Sequence, residues 1–166
     1  INFGGLKNKI GVFSEADAVL VDTCFLRTLD TENLLSGYAE MLKHGLISQR
    51  KHLAEVLSMV CSDSIATNEA LRGLLAESVA VKQRIVEQDP HEQNLRNALN
   101  LGHTFGHAFE SFAMQTGHPI LHGYAVAFGM VCELYLSCVK CGFPTDVMRQ
   151  VVSFIKEQYG TFTYTC

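Results

Sequence analysis

The sequence is poor in proline and has no surplus of basic residues. It holds 3 Pro among 166 residues, of which 48% are hydrophobic and 18% are charged. This composition excludes a disordered, collagen-like or low-complexity chain, and the length is enough for one domain with a core of its own. Lys and Arg total 13 against 17 Asp and Glu, a formal net charge of −4, which argues against nucleic-acid binding.

The sequence also lacks the features of a secreted disulfide scaffold, a zinc ribbon or a membrane span. No signal peptide is evident, and most of the six Cys lie in apolar helical stretches, which favours free thiols in a reducing cytoplasm. Cys138 and Cys141 form a C-x-x-C motif without a second pair. The longest near-apolar run, residues 124–139, is interrupted by Glu133 and is too short to cross a bilayer. We therefore expect a cytoplasmic protein without a membrane partner.

Both ends of the chain have the character of internal sequence. The chain begins with Ile1 rather than Met, and it stops within a β-prone run at residues 161–166 that no turn or cap follows. We therefore expect the sequence to be a fragment of a longer protein.

Hydrophobic periodicity predicts a mainly α fold. Only residues 1–29 are β-rich, and the apolar run at 18–22 predicts a short strand. The remainder shows helical spacing, caps and breakers. Helices are expected at about 31–48, 52–61, from 64 or 67 to 87, 95–114, 122–139 and 145–158. Thr31 is the expected N-cap of the first helix and Ser64 or Thr67 that of the third, and Gly142 is expected to end the fifth. The predicted architecture is a multi-helix bundle with a small β element at its N-terminal edge.

A row of polar residues follows one face of the predicted helix 95–114. In chain order the row reads Arg96, Asn100, His103 and His107, with successive members three or four residues apart. Gly102 and Gly106 lie between them, and Gly is unfavourable in a helix interior unless a neighbour or ligand packs closely. This pattern indicates a binding site; the alternative is a solvated face with ordinary histidines.

Glu40 and His122 are further candidates for metal binding. Glu40 lies in an apolar helical stretch three residues before Lys43, so it is either half of an ion pair or a metal ligand. His122 begins an apolar helix and is either a helix-terminal His or a ligand. Together with His103 they form a Glu/His/His set, which suits a catalytic Zn²⁺ with an open position. His118, in a turn before Pro119, competes with His122 for that role.

Several cations could form an anion site. Lys82 is surrounded by apolar residues and is either a surface lysine with a buried stem or a ligand-binding cation. Its possible companions are Lys7, Lys43 and Arg96, although their spacing does not establish that they converge.

These residues lie in strings that resemble 3-dehydroquinate synthase. The strings are residues 99–108 (LNLGHTFGHA), 37–45 (GYAEMLKHG) and 121–130 (LHGYAVAFGM). Residues 7–13 (KNKIGVF) and 21–23 (VDT) resemble the stretch that enters the second domain of that family. The resemblance covers nearly the whole chain, with the strings in the family's order and at closely matching spacing.

The resemblance implies a lyase of the shikimate pathway. Members convert 3-deoxy-D-arabino-heptulosonate 7-phosphate into 3-dehydroquinate and phosphate, with bound NAD and a divalent metal, Zn²⁺ or another such as Co²⁺. They have an N-terminal nucleotide-binding domain and a helical C-terminal domain. Residues 1–29 would be the crossover segment and residues 30–166 the metal- and substrate-binding domain, truncated at its C-terminus. The implied partners are the sugar-phosphate substrate, the chain's own nucleotide-binding domain and a second copy in a homodimer.

The family pattern also assigns residue roles by resemblance. Glu40, His103 and His122 would be the metal ligands. The implied catalytic and substrate-binding residues are Lys43, Lys82, Arg96, Asn100 and His107, with Asn8 as a further substrate contact. The implied NAD contacts are Lys7, Phe25, Leu26, Arg27 and Thr28. Two further family lysines would lie before Ile1 and beyond Cys166.

The chain departs from the family pattern near the proposed ligands. Tyr124 stands where the family commonly has Glu, two residues after His122. The segment around residues 115–118 also looks slightly longer than in some relatives, which keeps His118 as a rival ligand.

Two other functions stay open at this stage. One is a different enzyme on the same fold, either another sugar-phosphate cyclase or a polyol dehydrogenase. The other is a non-catalytic helical interaction domain. We expect the fragment alone to be catalytically silent, because no Gly-rich nucleotide-binding segment follows a strand in this sequence.

Overall fold

The computed structural model describes residues 10–12, 16–59 and 69–162. Six α-helices account for most of this part of the chain, which confirms the mainly helical fold. They are α1 (Thr31–Leu46), α2 (Arg50–Ser58), α3 (Glu69–Gln88), α4 (His103–Gln115), α5 (His122–Cys141) and α6 (Thr145–Tyr159). Two 3-10 helices, Thr23–Thr28 and Leu95–Asn100, precede α1 and α4.

The expected β element is not found in the described part of the chain. Residues 18–22 are irregular and exposed instead of forming the expected strand. A strand needs a hydrogen-bonded neighbour to be stable, and the described ranges contain no other strand. Residues 1–9 and 13–15, which also belong to the β-rich segment 1–29, lie outside the described residues.

The helix ends agree closely with the sequence signals. Asp30, rather than Thr31, caps α1, and its carboxylate accepts a hydrogen bond from the Asn33 N–H at 2.8 Å. Gly142 ends α5 in the left-handed region at φ 71°. The predicted caps of α3, Ser64 and Thr67, lie outside the described residues.

Helix α5 forms the centre of the core. Its residues Val126 and Met130 are fully buried and belong to one apolar cluster with residues of α1, α2, α3 and α6. Two tyrosine hydroxyls tie the bundle together, since Tyr38 donates to the Val56 carbonyl at 2.8 Å and Tyr159 donates to the Leu35 carbonyl at 2.9 Å. The core therefore fixes the position of α1 relative to α5.

By length and composition alone, α5 could cross a membrane. It has 20 residues, because the helix extends beyond both ends of the apolar run seen in the sequence. Its first two-thirds pack inside the bundle, while Tyr135 and Val139 near its end are exposed. This pattern of burial is the one expected of a core helix that packs along part of its length.

The expectation of one continuous helix over 95–114 is wrong. Residues Leu95–Asn100 form a 3-10 helix, and the α-helix begins only at His103, after Gly102 in the left-handed region at φ 82°. The Asp89 carboxylate fixes this break, since it accepts backbone hydrogen bonds from Gln93, Asn94 and Arg96. These bonds replace helical ones, so Arg96 and Asn100 do not share a helix face with the histidines of α4.

Candidate metal and substrate site

Glu40, His103 and His122 converge from three helices. Each offers a donor atom, and the three donor atoms lie within 4.8 Å of one another. Glu40 is in the middle of α1, whereas His103 and His122 are the first residues of α4 and α5. The positive end of a helix dipole disfavours a protonated imidazole, so the position of His103 suits a neutral, metal-binding histidine.

Hydrogen-bond acceptors lie beside the Nδ1 atom of both histidines. Nδ1 of His103 is 3.3 Å from the Leu101 carbonyl oxygen, and Nδ1 of His122 is 3.3 Å from Oε2 of Glu110. A carbonyl and an ionised carboxylate only accept, so Nδ1 carries the proton in each neutral ring. The lone pair is then on Nε2, and Nε2 of His103 lies 3.7 Å from Oε1 of Glu40.

The hydrogen bonding of the Glu40 carboxylate tests whether a metal fits between these residues. Its Oε2 accepts from Nζ of Lys43 at 2.5 Å, but its Oε1 is buried and has no hydrogen-bond partner among the described residues. A buried carboxylate oxygen without a partner destabilises the folded protein unless a hydrogen-bond donor or a cation contacts it. Two ligands at about 2.0–2.1 Å on a tetrahedral ion lie about 3.3 Å apart, close to the 3.7 Å between Glu40 Oε1 and His103 Nε2. The three residues therefore fit a divalent metal and leave an open coordination position.

The electrostatics hold the ligands in their metal-binding protonation states. Burial lowers the pKa of His103, and the positive charge of Lys43 lowers it further. Burial acts to raise the pKa of Glu40, but the hydrogen bond and charge of Lys43 outweigh it, so the pKa of this carboxyl is lowered. At neutral pH the site has an ionised Glu40 and a neutral His103, the forms that bind metal.

His107 lies beside the two candidate histidine ligands. Its ring centroid is 5.4 Å from that of His103 and 5.7 Å from that of His122. His107 is exposed on α4, one turn after His103. His107 is therefore placed where it could contact a molecule bound beside His103 and His122, and its role in the site stays a prediction.

The structure brings the two candidate lysines together. Lys43 is buried at 3% exposure, whereas Lys82 on α3 is exposed. Burial lowers the pKa of Lys43, and the positive charge of Lys82 contributes to the same shift. The two ammonium groups are therefore near enough to influence each other electrostatically.

Arg96 and Asn100 have partners in their own loop. Nη1 of Arg96 donates to the Pro90 carbonyl at 2.8 Å, and Nδ2 of Asn100 donates to Oε1 of Glu92 at 2.8 Å. Glu92 itself is in the left-handed region at φ 54°. Each contact uses one donor of its side chain, so Arg96 and Asn100 can keep these contacts and still bind another molecule.

The remaining candidate residues differ in their exposure and packing, and two of them are not described by the structure. Phe25–Thr28 lie in the first 3-10 helix, where Phe25 is 74% exposed and Leu26 packs on the core. Lys7 and Asn8 lie outside the described residues. His118 is exposed and belongs to neither group of converging donor atoms found in the described ranges. Tyr124 packs its ring edge-on against Tyr159 at 5.1 Å.

Sequence reasoning missed two carboxylates that organise this site. Glu110 contacts His122, and Glu133 on α5 accepts the Gly102 N–H at 2.8 Å just before α4 begins. Each had a signal in the sequence. Glu110 follows His107 by three residues on the same helix face, and Glu133 interrupts an otherwise apolar helix.

Comparison with known proteins identifies the family. The family model described as "3-dehydroquinate synthase C-terminal" matches residues 37–165. The chain belongs to this family. It is 54% identical over 166 residues, all of the chain, to a 3-dehydroquinate synthase of Parabacteroides distasonis. It is 42% identical over 137 residues, 82% of the chain, to that of Bacillus pumilus, and 37% identical over 155 residues, 93% of the chain, to that of Listeria innocua.

The chain spans less than half the length of each of these 3-dehydroquinate synthases. The matched shares are 46%, 37% and 42% of the three relatives. All three candidate metal ligands fall within the part that the family model matches.

Proposed function

We propose that the full-length protein containing this chain is a 3-dehydroquinate synthase. It converts 3-deoxy-D-arabino-heptulosonate 7-phosphate into 3-dehydroquinate and phosphate, with NAD and a divalent metal, Zn²⁺ or Co²⁺. The observation that carries the proposal is the convergence of Glu40, His103 and His122 around a buried carboxylate oxygen without a hydrogen-bond partner among the described residues. Incidental histidines in a non-catalytic helical domain would not require a cation at that oxygen.

Two parts of the chain have different roles in the proposed enzyme. Residues 30–166 form the metal- and substrate-binding domain, and residues 1–29 form the crossover from a nucleotide-binding domain. Phe25–Thr28 are exposed apart from Leu26, so a nucleotide held by another part of the protein can contact them, together with Lys7. The assembled enzyme is a cytoplasmic homodimer.

Glu40, His103 and His122 would hold the metal. When bound, the metal supplies Lewis-acid polarisation of a substrate hydroxyl oxygen and fixes the orientation of the substrate, and NAD supplies a hydride acceptor. Lys43 neutralises one carboxylate oxygen of Glu40, which keeps Oε1 available for the cation. The Nδ1 contacts of His103 and His122 keep their Nε2 atoms unprotonated.

The cations of the chain bind the charged groups of the substrate. That substrate carries a carboxylate and a phosphate, and Lys82, together with Lys43, provides positive charge beside the metal ligands. Arg96 binds an oxyanion through two parallel donors, using N–H groups other than the one that contacts the Pro90 carbonyl. Asn8 and Asn100 supply neutral hydrogen bonds to the substrate.

His107 transfers a proton to and from a hydroxyl group of the substrate. It lies next to both histidine ligands and is exposed to a bound molecule. A neutral imidazole at that position accepts a proton from a substrate hydroxyl or returns it. Removal of the proton that accompanies phosphate elimination is assigned to no side chain of this protein.

The test is turnover by the full-length protein. With added NAD and Zn²⁺ it should release phosphate from 3-deoxy-D-arabino-heptulosonate 7-phosphate, and His103→Ala should abolish that release. Preferential turnover of a different sugar phosphate would indicate another cyclase of the same fold. Hydride transfer from a polyol without phosphate release would indicate a dehydrogenase.

A further inference from the structure

Glu110 reaches His122 from a neighbouring helix. The carboxylate lies on α4 and its Oε2 is 3.3 Å from Nδ1 of His122, the first residue of α5. The Glu110 side chain is 20% exposed and the His122 side chain 39% exposed, so water competes for the same ring nitrogen. The contact is therefore held by the packing of α4 against α5 rather than by exclusion of solvent.

The two histidine ligands obtain their Nδ1 partners in different ways. His103 uses a carbonyl two residues earlier in its own backbone, that of Leu101. The residue before His122, Leu121, is extended and makes no side-chain cap, and the acceptor that His122 contacts comes from another helix. The sequence of α5 alone thus does not determine which nitrogen of His122 carries the proton.

A free neutral imidazole in water prefers the proton on Nε2, the nitrogen that would have to bind the metal. An ionised carboxylate beside Nδ1 accepts a hydrogen bond only from the other tautomer, in which Nδ1 is protonated and Nε2 has a lone pair. A carboxylate in this position also makes the ligating nitrogen more basic and fixes the ring orientation. Each effect favours metal binding at Nε2.

We propose that Glu110 is a positioning residue for the metal site, which holds His122 in the Nδ1-protonated tautomer and so presents Nε2 to the divalent metal. This inference rests on the proposed function, since it assumes that His122 is a ligand. It differs from a direct role, in which Glu110 itself binds the ion together with His107 and His122, whose donor atoms also lie within 4.8 Å of one another.

The experiment is a Zn²⁺ titration of the full-length protein against a competing chelator. The variants are Glu110→Gln, which keeps an acceptor but removes the charge, and Glu110→Ala, which removes both. Glu157→Gln on α6, an exposed carboxylate that accepts a hydrogen bond from Ser153, is the control for removal of a negative charge. We expect Zn²⁺ affinity to fall by about 10- to 100-fold in Glu110→Ala, less in Glu110→Gln, and not at all in Glu157→Gln.

A second readout separates positioning from general destabilisation. In the metal-free protein, ¹⁵N NMR of labelled histidines should report the Nδ1-protonated form of His122, and Glu110→Ala should shift it towards the Nε2-protonated form. Unchanged Zn²⁺ affinity and tautomer in Glu110→Ala would overturn the proposal. So would a loss as large as that of His122→Ala, because Glu110 would then be a ligand.

The same titration tests the proposed function separately. If wild type binds one Zn²⁺, and His103→Ala abolishes binding while Glu110→Ala does not weaken it, the metal site stands and only the role of Glu110 fails. If wild type binds no Zn²⁺, both the metal site and the role of Glu110 fail.

Discussion

Gly129 on α5 lies directly against the carbonyl of Gly102, the residue that precedes α4. A Cβ atom added at Gly129 would be 2.0 Å from the Gly102 oxygen and 2.7 Å from the Gly106 nitrogen. Four residues further along α5, Glu133 accepts the Gly102 N–H. One face of α5 therefore holds the start of α4, and with it His103, by close approach at one point and a hydrogen bond at the next turn.

This contact predicts that Gly129→Ala damages both stability and the metal site. The new methyl group collides with backbone, so α4 must move, at a cost of about 3 kcal/mol or more. We expect a lower thermal midpoint and weaker Zn²⁺ binding. Gly73→Ala on α3 is the matched control, because no atom lies within 4 Å of its added Cβ and a helical Gly→Ala change stabilises by up to about 1 kcal/mol. Equal behaviour of the two variants would contradict the packing described.

Removal of a proposed ligand should abolish tight metal binding. Glu40→Gln and His103→Ala each remove one of three ligands, so Zn²⁺ affinity should fall by more than about 100-fold, beyond the effect of changing a ligand's hydrogen-bond partner. The measurement is competitive Zn²⁺ titration of the full-length protein. His118→Ala should bind as wild type does, because His118 is exposed and outside the converging groups. Loss of Zn²⁺ in that variant would show the ligand set to be wrong.

The exposed Lys82 should contribute to substrate binding rather than to folding. A hydrogen bond to a charged group is worth about 1.5–3 kcal/mol, so Lys82→Gln should lower kcat/KM for the sugar phosphate by about 10- to 100-fold and leave the thermal midpoint unchanged. Lys51→Gln on α2, equally a surface lysine, provides the comparison. A similar kcat/KM for Lys82→Gln and wild type would remove Lys82 from the substrate site.

Buried His44 should make the protein less stable in mild acid. Burial, together with the charge of Lys43, lowers the pKa of His44 to about 4 from an ordinary 6.5, and neither ring nitrogen has a hydrogen-bond partner among the described residues. Between these values the unfolded chain binds a proton that the folded chain does not. Stability due to this group is therefore complete above pH 6.5 and is lost as the pH falls to about 4.

The measurement for His44 is denaturant unfolding between pH 7.5 and 4 of wild type and His44→Leu. Wild type should lose roughly 3 kcal/mol more than the variant over that range, since each pKa unit corresponds to about 1.4 kcal/mol. Parallel pH profiles would show that His44 is protonated in the folded protein.

The 166-residue chain by itself should release no phosphate from the sugar phosphate. No Gly-rich segment that could cradle a dinucleotide follows a strand in this sequence, so the hydride acceptor has no site. The assay is phosphate release with added NAD and Zn²⁺, with the full-length protein as the positive control. Turnover by the chain alone would contradict the proposal that another part of the protein binds the nucleotide.

Helix positions were largely predictable from the sequence because they depend on local patterns, whereas the roles of the candidate site residues stay predictions. Apolar spacing predicted five of the six α-helices closely, and Gly142 ended α5 where expected. The sixth prediction placed His103 and His107 correctly on one face but extended α4 too far towards the N-terminus. The Asp89 carboxylate and Gly102 override helical spacing there, and nothing in the periodicity of residues 95–114 reveals that competition.

The sequence by itself determined the family and the mainly helical class, and it supplied the residue types of the proposed Glu/His/His metal site. Only the tertiary structure decided that Glu40, His103 and His122 meet, because they lie on three helices whose relative positions depend on core packing and on the close approach at Gly129. It also decided which carboxylate oxygen is buried without a hydrogen-bond partner among the described residues and which carboxylate lies beside Nδ1 of His122. Those are distances between residues far apart in the chain, and no local pattern encodes them.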